Sequence, residues 1–344
     1  MSLRRIGLAL GLSPAAVSLA LRNSPKIPAA TRERVLAEAA RIGYRPNAKL
    51  NELMSQMRSS GVQEKEACFG VVSLYDSLRP WEQSQHLTRL FNSMQRKADA
   101  MGYRLEPLWL KAPGMTIQRF RTILDARGIQ GLLCFGSPNV VEQFPAELDH
   151  FAIVTQGISI ATPLHRVTSH FYNDLTQALQ RAHARGYRRP GLVLGLYEEE
   201  RSAHAYTSAY LGWCERTFGN PCPVPVLRTN RIEEKPLIQW LQRHQPDVVI
   251  FVHLYTTLGE LEQVLRRHGL QAPGDLGIIA VSQILEGTPF AGLQQNQELM
   301  GAWAVEMLVA RIHNRDFGIP EHPRIEMVES QWIEGQTLRP APKG

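Results

Sequence analysis

Hydrophobic and polar positions follow two rhythms along this chain, and the change falls near residue 60. In the first stretch apolar residues recur three to four apart, the helical period. Residues 3–10 form one short helix, with Ser2 placed to cap it, and a tight turn at Gly11 leads into a second. Ser13 is a good N-cap for that second helix, and Pro14 suits its first position, where a missing N–H costs nothing. Val17 and Leu21 give it a buried face, with Ala15, Ala16, Ser18, Leu19 and Arg22 on the other side. A third helix is predicted over 28–43. Val35, Ala39 and Ile42 line its apolar face, Arg32, Arg34 and Arg41 its polar one, and Gly43 stands where a C′ glycine belongs. Two short helices joined through a glycine turn outline a helix-turn-helix, and a helical hairpin that simply packs on a core has the same pattern.

Beyond a polar segment at 59–65 the rhythm changes to alternating strands and helices. Residues 69–74 are nearly all apolar, the mark of a strand buried on both faces. Further strands are predicted at 104–110, 131–135 and 152–155, with helices at 86–101 and 117–127. The second half repeats the scheme, with helices at 172–185, 203–218, 235–244 and 258–268 and strands at 191–196, 226–228, 248–253 and 277–281. A long helix at 297–314 and a final strand at 324–332 close the chain. This alternation predicts two α/β lobes, each a parallel sheet with helices on both faces.

Charge sharpens the division. The 344 residues carry a formal net charge of +6. Residues 1–60 hold ten Lys and Arg against three acids, while the remainder holds 28 against 29. A small basic module on a neutral body is the footprint of a nucleic-acid binder. The four cysteines are scattered, as buried thiols of a reducing compartment would be. With no signal peptide and no apolar run long enough to span a bilayer, a cytoplasmic protein without a membrane partner is expected. The common catalytic motifs are missing, the eleven histidines lack metal-ligand spacing, and Glu198–Glu200 reads as a solvated loop. No catalytic residue, metal or cofactor is therefore expected, and the chain is not read as an enzyme.

Three blocks carry a specific likeness: S-P-A-A-V-S-L-A-L-R-N from Ser13, T-R-E-R-V from Thr31 and G-Y-R-P-N from Gly43. In order and spacing they resemble the head of the LacI/GalR (lactose and galactose repressor) transcription regulators, and a weaker resemblance continues along the whole chain. It implies an all-α helix-turn-helix head joined to a two-lobed α/β core like that of periplasmic sugar-binding proteins. The expected divisions are a DNA-binding head at 1–46, a hinge helix and linker at 47–65, and a tail at 339–344. The N-terminal lobe would take 66–162 and 288–317, the C-terminal lobe 163–287 and 318–338, with crossings near 161–164, 285–289 and 317–320. The implied partners are a near-palindromic double-stranded DNA operator, a second copy of the chain and a small-molecule effector, typically a sugar. A repressor is expected; an activator of the same fold, or a ligand-binding protein with a degenerate head, are the alternatives.

The resemblance also assigns roles. Pro14, Ala15 and Leu19 fall where relatives read bases, yet none can donate a side-chain hydrogen bond, so only apolar contacts such as with a thymine methyl remain. Ala16 stands where many members have Thr. Ser18, Arg22, Asn23, Thr31 and Tyr44 match phosphate-contacting positions, beside the cap Ser13, and Lys49 is within reach of a phosphate. Leu53, in an apolar run with Leu50, Met54 and Met57, matches the leucine that wedges into the minor groove. In the core the usual charged sugar ligands are replaced by Ala209, His253-Leu254, Ser282-Gln283 and Ser169-His170. Trp81, Phe135, Ser137, Gln156, Arg201, His253, Ser282 and Gln283 remain as effector candidates at strand ends. Two alternatives stay open: an effector that is not a typical sugar, or a cleft that has lost its ligand.

Overall fold

The computed structural model describes residues 3–21, 27–42, 67–139, 141–219, 222–253, 257–282 and 285–340. The chain divides into two compact units, Met1–Lys65 and Glu66–Gly344. The first holds helices α1 (Leu3–Leu10), α2 (Pro14–Leu21) and α3 (Ala29–Arg41). Ile6, Val17, Ala20, Val35 and Ala39 form its core, rimmed by Leu10, Leu12, Leu21, Ile27 and Ile42. The turn before α2 uses Gly11 at φ +67°, and Ser13 Oγ accepts from the Ala16 N–H at 3.2 Å, so the predicted cap forms.

The second unit contains two six-stranded sheets. Its strands are β1 (Cys68–Ser73), β2 (Arg104–Trp109), β3 (Gly131–Cys134), β4 (Ala152–Gln156), β5 (His165–Ser169), β6 (Pro190–Gly195), β7 (Leu227–Thr229), β8 (Val248–Val252), β9 (Gly277–Val281), β10 (Ala291–Gln294), β11 (Ile325–Val328) and β12 (Gln331–Ile333). One sheet runs β11-β5-β4-β3-β1-β2, entirely parallel. The other runs β12-β10-β9-β8-β6-β7, parallel except for β12 against β10. The helices that cover them are α4 (Gln85–Ala100), α5 (Ile117–Arg127), α6 (Phe171–Ala184), α7 (Leu196–Arg201), α8 (Ala205–Phe218), α9 (Glu234–His244), α10 (Leu258–Arg267) and α11 (Gln297–His313).

Strand pairing corrects the expected crossings. The strand β5 pairs with β4 and β11 in the first sheet, so the chain first leaves that lobe at His170, after 161–164. Next, β10 pairs with β9 in the second sheet, and the return follows at Gln295-Asn296 instead of 285–289. The predicted single strand at 324–332 is two strands in different sheets, and the last crossing is Glu329-Ser330, not 317–320. The short β5 and β10 were hidden from the sequence pattern, since a strand of four or five residues between Pro, Thr and Gln shows no clear period. Residues 198–200 are also not a solvated loop. They lie on α7, and Glu198 and Glu199 are buried beneath it.

Two packing details hold the crossings in place. The long helix α11 lies against α4, and it can approach that closely only at Gly301. A side chain starting there would meet Leu90 O at 2.6 Å, Ser93 Cβ at 2.8 Å and Met94 N at 3.1 Å. The first and third crossings run side by side, where His170 N–H donates to Val328 O at 3.1 Å. Asp174, in the first turn of α6, is fully buried there. Its Oδ2 accepts from Ser330 Oγ at 2.9 Å, while Oδ1 meets no donor among the described residues. Burial of this carboxyl, only partly offset by the bonds from Ser330, pushes its pKa up to about 7.

Gly301→Val is expected to destabilise the chain by about 1–3 kcal/mol through overpacking, read by urea titration. Between the ordinary carboxylate range and about 7 the folded state holds a proton on Asp174 that the unfolded state has lost. Stability from this group is therefore present at low pH and drains away as pH rises through that window. Asp174→Asn removes the dependence, so its stability relative to the parent rises between acidic and neutral pH; a constant difference across the two titrations contradicts this.

Candidate ligand cleft and nucleic-acid head

In the head, α2 leaves Ala16 and Leu19 half-exposed, and Thr31 is half-exposed at the start of α3. Pro14, Ala15 and Ser18 also lie on α2. Arg22, Asn23, Tyr44, Lys49 and Leu53 lie outside the described residues. The three arginines of α3 differ in what they meet. Arg41 forks onto Glu38, with Nε–Oε2 at 2.8 Å and Nη2–Oε1 at 2.7 Å, and holds that carboxyl below its ordinary range. Arg32 donates from Nη2 to Ile27 O at 3.1 Å and so ties α3 to the segment before it. Arg34 is exposed.

In the core, a cleft of about 380 Å³ opens where the carboxyl ends of both sheets converge. Phe135, Ser137, Gln156 and Arg201 line it, as the sequence predicts. Trp81 does not: it is buried behind, stacked on Phe91 with ring centroids 4.1 Å apart and tilted against Phe135 at 5.2 Å. His253 is buried against Phe251 outside the lining. Ser282 is likewise behind the wall, bonded to Tyr206 OH at 2.8 Å and to Gln295 Nε2 at 3.0 Å. Gln283 lies outside the described residues. A cavity of about 500 Å³ between α10, Pro289 and Gln336 belongs to the second lobe alone and draws on neither carboxyl edge of the first.

The structure adds lining residues that sequence reasoning missed, notably Tyr75, His86, Ser159, Tyr197, Gln295 and Gln297. One signal was available, since the run Gln294-Gln295-Asn296-Gln297 places four amides before an apolar helix. Gln297 Nε2 donates to His86 Nδ1 at 3.2 Å and reaches Gln295 Oε1 at 3.1 Å. With the bonds through Ser282 to Tyr206, this makes a polar chain from α4 in one lobe to α8 in the other. Desolvation, helped by Arg201 and Arg89, lowers His86 to about 4, so its ring is neutral and can accept that bond.

Two side chains of α7 span the cleft. Tyr197 OH donates to Ser137 O across the lobes at 3.1 Å. Arg201 lies with Cζ 5.7 Å from the Tyr197 ring centroid and 5.9 Å from that of Phe171, and its Nη2 comes within 3.4 Å of where a side chain on Gly157 would start. On the opposite wall Ser137 Oγ donates to Glu142 Oε2 at 2.8 Å. Burial pushes that carboxyl up, but bonds from Lys111, Ser137 and Asn139 outweigh it and hold it below its ordinary range.

Comparison with known proteins agrees with this architecture. A periplasmic binding protein-like domain matches residues 179–338. The HTH-type transcriptional repressor CytR of Escherichia coli (strain K12) is 24% identical over 328 residues, covering 92% of this chain and 91% of that protein. The transcriptional regulator CelR–cellobiose complex superposes with TM-score 0.59 at 18% identity, covering 98% of this chain and 99% of that one. The lac repressor dimer bound to operator and the anti-inducer ONPF gives 0.58 at 16%, covering 98% of each. Capped head, doubled parallel sheet and end-to-end likeness together give the chain the fold of these solved regulators, and its sequence is similar to CytR along nearly its whole length.

Proposed function

We propose that this chain is a sequence-specific DNA-binding transcriptional repressor controlled by a small molecule held between its lobes. The observation that carries the reading is the pairing, in one chain, of a cationic helix-turn-helix head with a two-lobed core that has a polar interlobe cleft. The operator-bound dimer of the lac repressor and the cellobiose complex of CelR support each half. The working unit is then a homodimer, and its two-fold symmetry asks for a near-palindromic operator with one head in each half-site. Ligand in the cleft changes how the lobes close, and differential affinity for the two closures is what shifts DNA binding.

On DNA, α2 lies in the major groove, with Pro14, Ala15 and Leu19 toward base edges and Ala16 beside the backbone. Ser13 holds the start of that helix, and Ser18, Arg22, Asn23, Thr31, Tyr44 and Lys49 contact phosphates. Because the base-facing side chains are apolar, direct readout is thin and more of the specificity falls on DNA deformation. Leu53, as a minor-groove wedge, supplies it.

Selection of bound fragments from random DNA is expected to return a near-palindrome, and an asymmetric or absent consensus rejects the reading. In mobility shifts, affinity for that site falls by about 10³-fold or more between 50 and 200 mM salt if six or more phosphates are contacted. Leu53→Ala weakens the selected site far more than random DNA, by about tenfold against little change, because the cost of unstacking is repaid only at a deformable step. Equal losses on both DNAs remove the wedge.

A further inference from the structure

The cleft has an unusual charge balance. None of its described lining residues is Asp or Glu, and one, Arg201, is a cation. Arg201 enters no ion pair among the described residues, and its Nε is enclosed without an acceptor. What it meets are the faces of Tyr197 and Phe171, which hold a guanidinium in place without neutralising it. The neighbouring acids are engaged elsewhere. Glu142 is bonded to Lys111 Nζ at 2.7 Å, and the Glu198 carboxyl is folded back onto Gly195 beside His253.

The remaining polar groups are neutral: hydroxyls of Ser137 and Ser159, amides of Gln156, Gln295 and Gln297, and the ring of His86. A guanidinium that lines a cleft with no acid in its described lining keeps its charge unmet, and a carboxylate or phosphate is the group that meets a guanidinium in a fork. We propose that the effector is an anionic, hydroxyl-bearing small molecule whose carboxylate or phosphate binds Arg201, with the surrounding amides and serines taking its hydroxyls. Arg201 sits on α7 of the second lobe and reaches Gly157 after β4 of the first. An anion there bridges the lobes at the point where closure is set.

The proposal rests on the cleft being the effector site, and its test separates the two. Isothermal titration of the full-length chain uses glucose and cellobiose as neutral probes, glucuronate as the carboxylate and glucose 6-phosphate as the phosphate. One of the anions is expected to bind at least about tenfold more tightly than glucose, and which one does identifies the anionic group. Arg201→Gln removes that advantage, bringing the anion's affinity to within about twofold of that variant's affinity for glucose. Gln156→Glu, which puts a carboxylate beside Gly157, removes it too without touching the guanidinium, and thermal unfolding confirms that both variants fold. The proposal is overturned if neither anion binds at millimolar concentration, if the neutral sugars bind as tightly, or if both variants keep the anion's affinity within about twofold. Mobility shifts on operator DNA are read separately. Anion binding without DNA binding defeats the regulator reading alone, and DNA binding without anion preference defeats this one alone.

Discussion

A parallel sheet must be covered on both faces, because its strands are apolar on both sides and its connections are helices. That constraint governs everything in the core. All twelve strands but β12 run parallel to a neighbour, so their carboxyl ends collect along one edge of each sheet. The loops after β1, β3, β4, β6 and β10 meet at these edges, and each contributes a lining residue to the cleft. The three crossings follow strand ends too, at His170, at Gln295-Asn296 and at Glu329-Ser330, and the first and third run side by side. The second crossing and the cleft share Gln295.

This economy shows in the polar groups. Gln295 and Gln297 line the cleft at and just after the second crossing, and the amide chain from His86 to Tyr206 links the two lobes there. Buried polar groups of this kind are bonded almost without exception, since each unmet one costs a desolvation penalty. Arg201 Nε and Asp174 Oδ1 depart from that rule. One belongs to a residue that lines the cleft, and the other sits under the first and third crossings. Both are places where ligand, proton or movement between lobes can change the local balance.

The head follows a different logic. Among the described residues its core is five buried side chains on three short helices, with five partly buried ones around them, a small core. The cap at Ser13 and local ties such as Arg32 to Ile27 O add to its stability, each by about 1 kcal/mol. Two of the three arginines on α3 are spent in this way, Arg32 on the backbone and Arg41 on Glu38. Arg32 keeps its charge, since a carbonyl does not neutralise it, and the third, Arg34, is exposed.

Local pattern was enough for the elements that carry long runs or strong punctuation. The helices at Leu3–Leu10 and Ile117–Arg127 and the strand Gly277–Val281 are legible to the residue, because caps, glycines and periodicity agree there. Four of the effector candidates, Phe135, Ser137, Gln156 and Arg201, line the cleft, at or beyond the ends of apolar strands. The short strands β5 and β10 and the splitting of 324–332 were not, because which sheet a strand joins depends on partners more than a hundred residues away. Nor could the sequence say that Trp81, His253 and Ser282 sit behind the wall, or that Glu198 and Glu199 are buried. A strand's end specifies where a side chain starts, while packing from other elements decides whether it faces ligand or core. The sequence alone determined a basic three-helix head on a neutral, doubled α/β core. Only the tertiary structure decided where the lobes join and that Arg201 is the one cation among the described lining residues of the cleft, since both depend on groups brought together from distant parts of the chain.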